Sequence, residues 1–117
     1  MVAFVVGNAG YKHHPLKNPT TDAMAIRDVL KNQNAEVYYA EDCGIDEFEE
    51  TFGLFVAAVR PGDAAFLFFA GHAVMLHNYL RLMAISNSLT SAKSESEVEV
   101  EANSLKLGKL IARSIIP

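Results

Sequence analysis

The feature that most constrains this chain is a run of six apolar residues, 64–69, bounded on both sides by residues that favour turns. Pro61-Gly62-Asp63 precedes the run, and Ala70-Gly71-His72 follows it. An unbroken apolar run of this length between turn signals indicates a strand that is buried on both faces. Such strands belong to parallel α/β sheets, in which ligands bind beyond the carboxyl ends of the strands. We therefore predict a core strand that ends next to a titratable group, His72.

Two further apolar runs and two amphipathic segments precede this strand in alternation. They predict strands at 2–6 and 35–40 and helices at 21–32 and 45–60. Thr20, Thr21 or Asp22 can cap the first helix. Strand–helix–strand units in parallel sheets connect by right-handed crossovers. The alternation therefore predicts an α/β fold, a three-layer α/β/α sandwich of the flavodoxin-like kind, with a mostly parallel sheet in the strand order 2-1-3.

The sequence after His72 is less regular. Residues 74–85 are apolar with polar breaks and predict a short hairpin or strand, and the serine-rich residues 86–96 predict a loop. Asn103 or Ser104 is placed to cap a final helix, whose apolar face would hold Leu107, Leu110 and Ile111. A chain of 117 residues has the size of one domain, so we expect a single domain over residues 1–117.

Composition and charge exclude several classes of function. The net charge of -4 and the ten scattered Lys and Arg residues provide no basic surface for nucleic acid. No apolar run approaches the ~20 residues that cross a bilayer. The only cysteine, Cys43, allows no internal disulfide, which is typical of a reducing compartment. We therefore expect a cytoplasmic protein that binds neither nucleic acid nor a membrane.

The sequence also lacks the patterns of the common cofactor sites. Gly7-Asn8-Ala9-Gly10 follows the first strand, but it matches neither glycine-rich phosphate motif and leads into a proline-containing loop. The histidines do not have the spacing of a zinc site. We therefore interpret them as surface residues and not as metal ligands. They are His13, His14, His72 and His77. We therefore expect no metal and no cofactor.

Several short segments, taken together, resemble the caspase-like cysteine peptidases. Their order and spacing carry the similarity, because each segment alone is weak. The similarity is closest to the metacaspase and paracaspase branch, covers residues 2–85 and is looser beyond them. It implies a caspase-like, p20-type fold. The segments are Val5-Val6-Gly7-Asn8, Tyr11, Leu16-Lys17-Asn18-Pro19-Thr20-Thr21-Asp22-Ala23, Pro61-Gly62-Asp63, Phe68-Phe69-Ala70-Gly71-His72 and Asn78-Tyr79-Leu80.

This resemblance implies roles for three residues in the cleavage of a peptide or protein substrate. His72 would be the catalytic histidine, the general base and acid that activates a cysteine and protonates the leaving amine. Ala73 would donate its backbone N–H to the oxyanion hole. The family has glycine there, and a Cβ is costly where the backbone needs a glycine-only angle. Asp22 would line the pocket for a basic P1 side chain, although a helix N-cap is an equally good role for it.

The sequence departs from the family at the nucleophile. The family's cysteine lies about 50 residues after the histidine, whereas 45 residues follow His72 in this chain of 117 and none of them is cysteine. Cys43 lies upstream, in the turn between the second strand and the second helix, and is interpreted as a loop thiol. Arg81-Leu82-Met83 also stands where the family tends to have a proline and an acid. We therefore expect a domain truncated before the strand that carries the nucleophile, with a sheet incomplete on its C-terminal side.

Two functions are consistent with this pattern, and whether the chain is an enzyme stays open between them. One is a cysteine endopeptidase domain that cleaves after basic residues and is inactive as an isolated chain. The alternative is a catalytically dead homologue that acts as a binding or regulatory module. A flavodoxin-like binding domain from outside the family is disfavoured by the resemblance. In each case the strand at 64–69 would be an unpaired apolar edge, which predicts a homo-oligomer or a partner chain that pairs with it.

Overall fold

The structure is a computed structural model, and it describes residues 1–12, 14–85 and 101–106. In this part of the chain the predicted order of strands and helices is confirmed as far as the third strand, with bounds that differ by at most two residues. The elements are β1 Val2–Gly7, α1 Pro19–Asn32, β2 Glu36–Glu41, α2 Ile45–Ala58, β3 Ala65–Ala70, β4 Ala73–Leu76, β5 Tyr79–Met83 and β6 Ser104–Lys106.

The main sheet is parallel and has the predicted strand order, β2-β1-β3. β1 is buried along its whole length because it lies between the other two strands. Its last residue, Gly7, is in register with Glu41 of β2 and with Ala70 of β3. The carboxyl ends of all three strands therefore meet at one edge of the sheet, which is where parallel sheets place their ligands.

One helix covers each face of this sheet, so the three-layer sandwich is confirmed. Side chains alternate across a strand, and on β1 this alternation separates two cores. Val2, Phe4 and Val6 pack with α2 in one core. Ala3 and Val5 pack with α1 in the other core. The order of the layers is α1, sheet, α2.

Helix α1 begins earlier than the capping pattern predicted. Its N-cap is Asn18, which makes no side-chain capping bond, and Pro19 occupies the first turn. Proline is favoured there because its fixed φ suits a helix and the first turn needs no N–H partner. Asp22 lies one turn further on and donates its backbone N–H to the Asn18 carbonyl. The proposed capping role of Thr20, Thr21 or Asp22 is therefore wrong.

Strand β3 is not buried on both faces, contrary to the prediction from its apolar run. Phe66 is 37% and Leu67 is 38% exposed. The reason is position, since β3 is an edge strand in the described part of the chain. Ala64 and Ala70 direct their carbonyl groups at β1. By the alternation of a parallel ladder, the N–H and C=O groups of Ala65, Leu67 and Phe69 point away from β1.

A second, antiparallel sheet in the order β4-β5-β6 follows the main one. For residues 74–85 a hairpin or a strand was predicted, and the structure has a hairpin that starts one residue earlier, β4 and β5 joined by His77 and Asn78. Both turn residues have positive φ, 52° and 66°, as a two-residue type I′ turn requires. A final helix was predicted to start at Asn103 or Ser104, and this start is wrong because β6 begins at Ser104. Ser104 of β6 pairs with Met83 of β5, on the side of β5 opposite to β4. The rest of the predicted helix lies outside the described residues, as does the predicted loop at 86–96.

None of the helices in the described ranges is long and apolar enough to cross a membrane.

Candidate active site

His72 lies at the carboxyl edge of the main sheet, as predicted. It follows the end of β3 by two residues and immediately precedes β4, so it stands between the two sheets. The side chain is half-buried, with one side packed on the Tyr11 ring at 4.5 Å between ring centroids. A titratable group at a sheltered but open position of this kind can exchange protons with a bound substrate.

The His72 ring is oriented by a backbone carbonyl. Its Nε2 lies 2.7 Å from the carbonyl oxygen of His14. A carbonyl oxygen only accepts hydrogen bonds, so Nε2 carries the hydrogen in this arrangement. In the neutral ring the other nitrogen, Nδ1, is then unprotonated and basic. The sequence did not indicate His14 as a site residue, because a backbone carbonyl leaves no signature in side-chain patterns.

The backbone N–H of Ala73 is directed away from its own sheet. Met83 donates its N–H to the His72 carbonyl at 3.0 Å, which makes His72 and Met83 a hydrogen-bonded pair of the β4–β5 ladder. Such pairs alternate with non-hydrogen-bonded ones. Ala73, opposite Leu82, is therefore a non-hydrogen-bonded residue of this ladder, and among the described residues β4 is an edge strand. Its N–H is available to an oxygen atom next to His72.

The alanine at this position does not strain the backbone. In the described part of the chain, the non-glycine residues with positive φ lie elsewhere; they are Asn34, Asp42, His77 and Asn78. Ala73 has the backbone of an ordinary strand residue, so its Cβ carries no penalty for a glycine-only angle. The difference from the family's glycine therefore leaves the donor N–H in place.

Asp22 lies near the same edge of the sheet, in the first turn of α1. That turn approaches the end of β1 so closely that a Cβ on Gly7 would lie 2.4 Å from the Pro19 carbonyl oxygen. The Asp22 side chain is exposed, and among the described residues it has no hydrogen bond or ion pair. Nothing in the structure places a substrate between Asp22 and His72, so its role in a P1 pocket stays a prediction.

Asn8 and Tyr11 connect the two sheets beneath this site. Both side chains donate to the carbonyl of Met83 at the end of β5, Asn8 from Nδ2 at 3.1 Å and Tyr11 from its hydroxyl at 2.8 Å. Asn8 is fully buried. Neither residue was assigned a role from the sequence, although Asn8 follows the first predicted strand by two residues, at the edge of the sheet where ligands bind.

Cys43 is in the predicted turn, but it belongs to the core and not to the surface. Its side chain is 0% exposed. The backbone N–H of Cys43 donates to Asn8 Oδ1 at 3.1 Å, and its Sγ lies 3.5 Å from the same oxygen. Burial raises the pKa of the thiol from 9.0 to about 11. At neutral pH the thiol is protonated and enclosed, which is the opposite of a catalytic cysteine.

We expect the buried Cys43 thiol to make the fold less stable between pH 9 and 11. A thiol with a raised pKa favours the folded state below its unfolded pKa, and this contribution is lost as pH rises towards the folded value of about 11. The loss is about 2 to 3 kcal/mol over that interval. Urea unfolding at a series of pH values measures it. Cys43→Ala is the control, since it removes the group and should make the curve less steep; an equal slope in both proteins contradicts the prediction.

In the described ranges no three His, Cys, Asp or Glu side chains are grouped so that they could hold a metal ion. His14 and His72 do lie together, with ring centroids 6.4 Å apart. The contact accompanies the hydrogen bond between His72 Nε2 and the His14 carbonyl oxygen.

A basic nitrogen beside a backbone N–H that points away from its ladder, at the carboxyl edge of a three-layer α/β sandwich, is an arrangement that acyl-transfer hydrolases use. Comparison with protein families identifies the family: the model described as the caspase domain matches residues 1–112. The chain belongs to the caspase domain family, which places it in the cysteine peptidase class. A comparison with curated proteins gives no match.

Proposed function

We propose that this chain is the histidine-bearing part of a cysteine endopeptidase of the metacaspase and paracaspase branch, specific for a basic P1 residue. The observation that carries the proposal is the pair formed by His72 and Ala73. The imidazole is held by the His14 carbonyl at 2.7 Å, and the adjacent N–H of Ala73 points away from its ladder partner. A base and an oxyanion donor are therefore side by side before any substrate binds.

In this proposal Nδ1 of His72 is the catalytic base, because Nε2 carries the hydrogen of the neutral ring. Nδ1 takes the proton of a cysteine thiol, and the thiolate sulfur bonds to the scissile carbonyl carbon. The carbonyl oxygen becomes an oxyanion and accepts a hydrogen bond from Ala73 N–H. The imidazolium then gives its proton to the leaving amine as the C–N bond breaks. Water, deprotonated by the same ring, hydrolyses the acyl–sulfur bond and regenerates the thiol.

The nucleophile in this mechanism is a cysteine outside the given sequence. Cys43 is unsuitable because its thiol is buried and its pKa is raised to about 11. No other cysteine occurs in the 117 residues. We place the missing cysteine at the end of a strand that pairs in parallel with the outer side of β3. The carboxyl end of such a strand would lie at the edge of the sheet where His72 is found.

The outer side of β3 has the properties that strand pairing needs. Its outward-pointing backbone groups belong to Ala65, Leu67 and Phe69, and β3 carries no charge and no proline that would discourage another strand. A second copy of this chain is a competing occupant, and pairing with it would supply no cysteine. Light scattering at micromolar concentration distinguishes such a dimer from a monomer that awaits a different strand.

Asp22 is proposed as the group that selects a basic P1 side chain. Its carboxylate is exposed and has no partner within the described ranges, at the edge of the sheet that also holds His72. An arginine or lysine of the substrate would pair with it.

The single cysteine and its reduced, buried state are consistent with a cytoplasmic protein.

The isolated chain should show no peptidase turnover, and this can be tested with an electrophilic ketone probe that ends in arginine. The tagged chain is incubated with the probe alone and in lysate of its source. We expect labelling only in lysate, on a cysteine of a polypeptide that is captured with the tagged chain. His72→Ala should capture the same polypeptide but reduce its labelling by about 100-fold or more, the typical size of a general acid–base contribution.

Asp22→Asn tests the specificity in the same experiment. We expect it to weaken labelling by the arginine probe about tenfold, as the loss of a charge-assisted bond would, with no effect on a probe that ends in leucine. Asp28→Asn is the matched control on the same helix, because Asp28 pairs with Arg27 at 3.0 Å and is exposed. Labelling of Cys43, or labelling that survives His72→Ala, contradicts the proposed function.

The alternative is a catalytically dead homologue that acts as a binding or regulatory module. The observation that favours it is the absence of a usable thiol: no cysteine follows His72, and Cys43 is enclosed. If the probe labels nothing in either setting while circular dichroism confirms the fold, this function replaces the first.

A further inference from the structure

The β4–β5 ladder is interrupted at His72 by a side chain. A hydrogen-bonded pair in an antiparallel ladder normally exchanges two backbone bonds. The first of these is present, since Met83 N–H donates to the His72 carbonyl at 3.0 Å. The reciprocal bond is replaced by two others: His72 N–H donates to the Tyr11 hydroxyl oxygen at 3.1 Å, and that hydroxyl donates to the Met83 carbonyl at 2.8 Å. Tyr11 therefore bridges the place where His72 and Met83 would otherwise bond directly.

The direction of these bonds leaves Tyr11 no alternative arrangement. The hydroxyl has one hydrogen, and the Met83 carbonyl can only accept it. The hydroxyl oxygen must then accept from His72. Burial raises the pKa of the Tyr11 phenol well above its usual value, so the hydroxyl keeps its hydrogen and remains a donor at neutral pH. Because the hydroxyl lies between the His72 N–H and the Met83 carbonyl, the His72 backbone is further from β5 than it would be if these two groups bonded directly.

The ring of Tyr11 also contacts the imidazole itself. The centroids of the two rings are 4.5 Å apart and the rings are tilted by 56°. Gly71 makes this approach possible, because a Cβ at that position would lie 2.6 Å from the Tyr11 hydroxyl oxygen and 2.8 Å from the Phe69 ring. One tyrosine thus fixes the backbone of His72 through its hydroxyl and the side chain of His72 through its ring.

Tyr11 is held by the loop that also supplies the His14 carbonyl. Asp42 accepts the N–H groups of Ala9 and Gly10, at 2.8 and 2.9 Å. Further along, Leu16 donates its N–H to the Ala9 carbonyl at 2.8 Å and closes the loop. Tyr11 and His14 lie between these anchors. The two groups that touch the imidazole, a ring and a carbonyl, therefore come from one segment with fixed ends.

We infer that Tyr11 is a positioning residue for His72: its bridging hydroxyl and its ring hold the imidazole so that Nε2 meets the His14 carbonyl and Nδ1 stays free as the base. The inference rests on the proposed function in one respect, namely that Nδ1 is the nitrogen that accepts the thiol proton. Without the bridge, His72 N–H would bond directly to Met83, β4 would gain a residue, and the imidazole would move away from His14.

The experiment measures the tautomer of His72 in the whole chain without substrate. Long-range ¹H–¹⁵N correlation spectra at pH 8 distinguish a protonated ring nitrogen from an unprotonated one. We expect the Nε2–H form to predominate in the native chain. In Tyr11→Phe, which keeps the ring and removes the hydroxyl, we expect the ratio of the two tautomers to fall about fivefold or more, the change that the loss of one hydrogen bond produces. A merely structural role would leave this ratio unchanged.

Tyr79→Phe is the matched control, since the Tyr79 ring contacts Lys106 and the change removes a hydroxyl from the same small sheet. It should not alter the tautomer ratio. Should Tyr11→Phe fail to fold, Gly71→Ala takes its place, because its Cβ displaces the Tyr11 hydroxyl while keeping it in the chain. A native ratio in the folded Tyr11→Phe chain overturns the inference.

The proposed function fails by a different result. If His72→Ala leaves probe labelling intact, His72 is not the base, and the tautomer measurement on the chain alone still stands. If His72→Ala abolishes labelling and Tyr11→Phe reduces both labelling and the tautomer ratio, both the function and the inference are supported.

Discussion

Phe4→Ala should lower the free energy of unfolding by about 3 to 5 kcal/mol, the range measured when a large buried aromatic side chain is truncated. Phe4 is 1% exposed in the central strand. Its ring lies against three rings of α2, with centroid distances of 6.1 Å to Phe48, 5.5 Å to Phe52 and 5.6 Å to Phe55. Removing it leaves a cavity between the sheet and α2 that these large rings cannot close without leaving their rotamers.

The total free energy of unfolding of a single domain is about 5 to 15 kcal/mol, so this one substitution would remove a large part of it. Urea unfolding followed by circular dichroism measures the effect. The matched control is Phe66→Ala, the same substitution at the edge strand, where the ring is 37% exposed; we expect about 1 kcal/mol there. Equal losses at the two positions would show that α2 does not pack on β1 as described.

Asn8→Ala should lower the free energy of unfolding by about 3 kcal/mol and disorder the candidate site at the same time. The Asn8 side chain is fully buried and makes three bonds: Nδ2 donates to the Met83 carbonyl, and Oδ1 accepts from the backbone N–H and from Sγ of Cys43. Its removal leaves a buried N–H of Cys43 without a partner. The Met83 carbonyl would then be held by Tyr11 alone.

The second consequence of Asn8→Ala separates it from an ordinary core mutation. Because Met83 also donates to the His72 carbonyl, we expect the ring resonances of His72 to shift even in conditions where the protein stays folded. Asn32→Ala is the control, since Asn32 is an exposed residue at the end of α1 and should change stability by less than about 0.5 kcal/mol. Unchanged His72 resonances in Asn8→Ala would contradict the link between Asn8 and the site.

The sequence predicted the parallel half of the fold well, for identifiable reasons. The run 2–6 is apolar at every position because β1 lies between two strands and two helices. The spacing of Phe48, Phe52 and Phe55 indicated the face that α2 presents to the sheet. These are local patterns produced by burial. The same reasoning failed for β3, since an apolar run reports what a strand can bury and not whether a neighbour is present to bury it.

The candidate site was predicted in part. His72 and Ala73 were identified by resemblance to a family motif, and their position at the carboxyl edge followed from the strand before them. The groups that orient them were not identified. The His14 carbonyl is backbone, Tyr11 acts from 61 residues away, and Asn8 reaches across 75 residues to Met83. No pattern within a sequence window reports contacts at such separations.

The sequence by itself therefore determined the alternation of strands and helices, the three layers, and the presence of a histidine after the third strand, because each depends on local periodicity and on turn residues. Only the tertiary structure decided that Cys43 is enclosed, that Tyr11 bridges His72 to Met83, and that the Nε2 atom of His72 carries its hydrogen. These properties depend on which polar groups remain to satisfy one another once two sheets have come together. That choice is made by burial and hydrogen-bond geometry across the fold, not by neighbours in the chain.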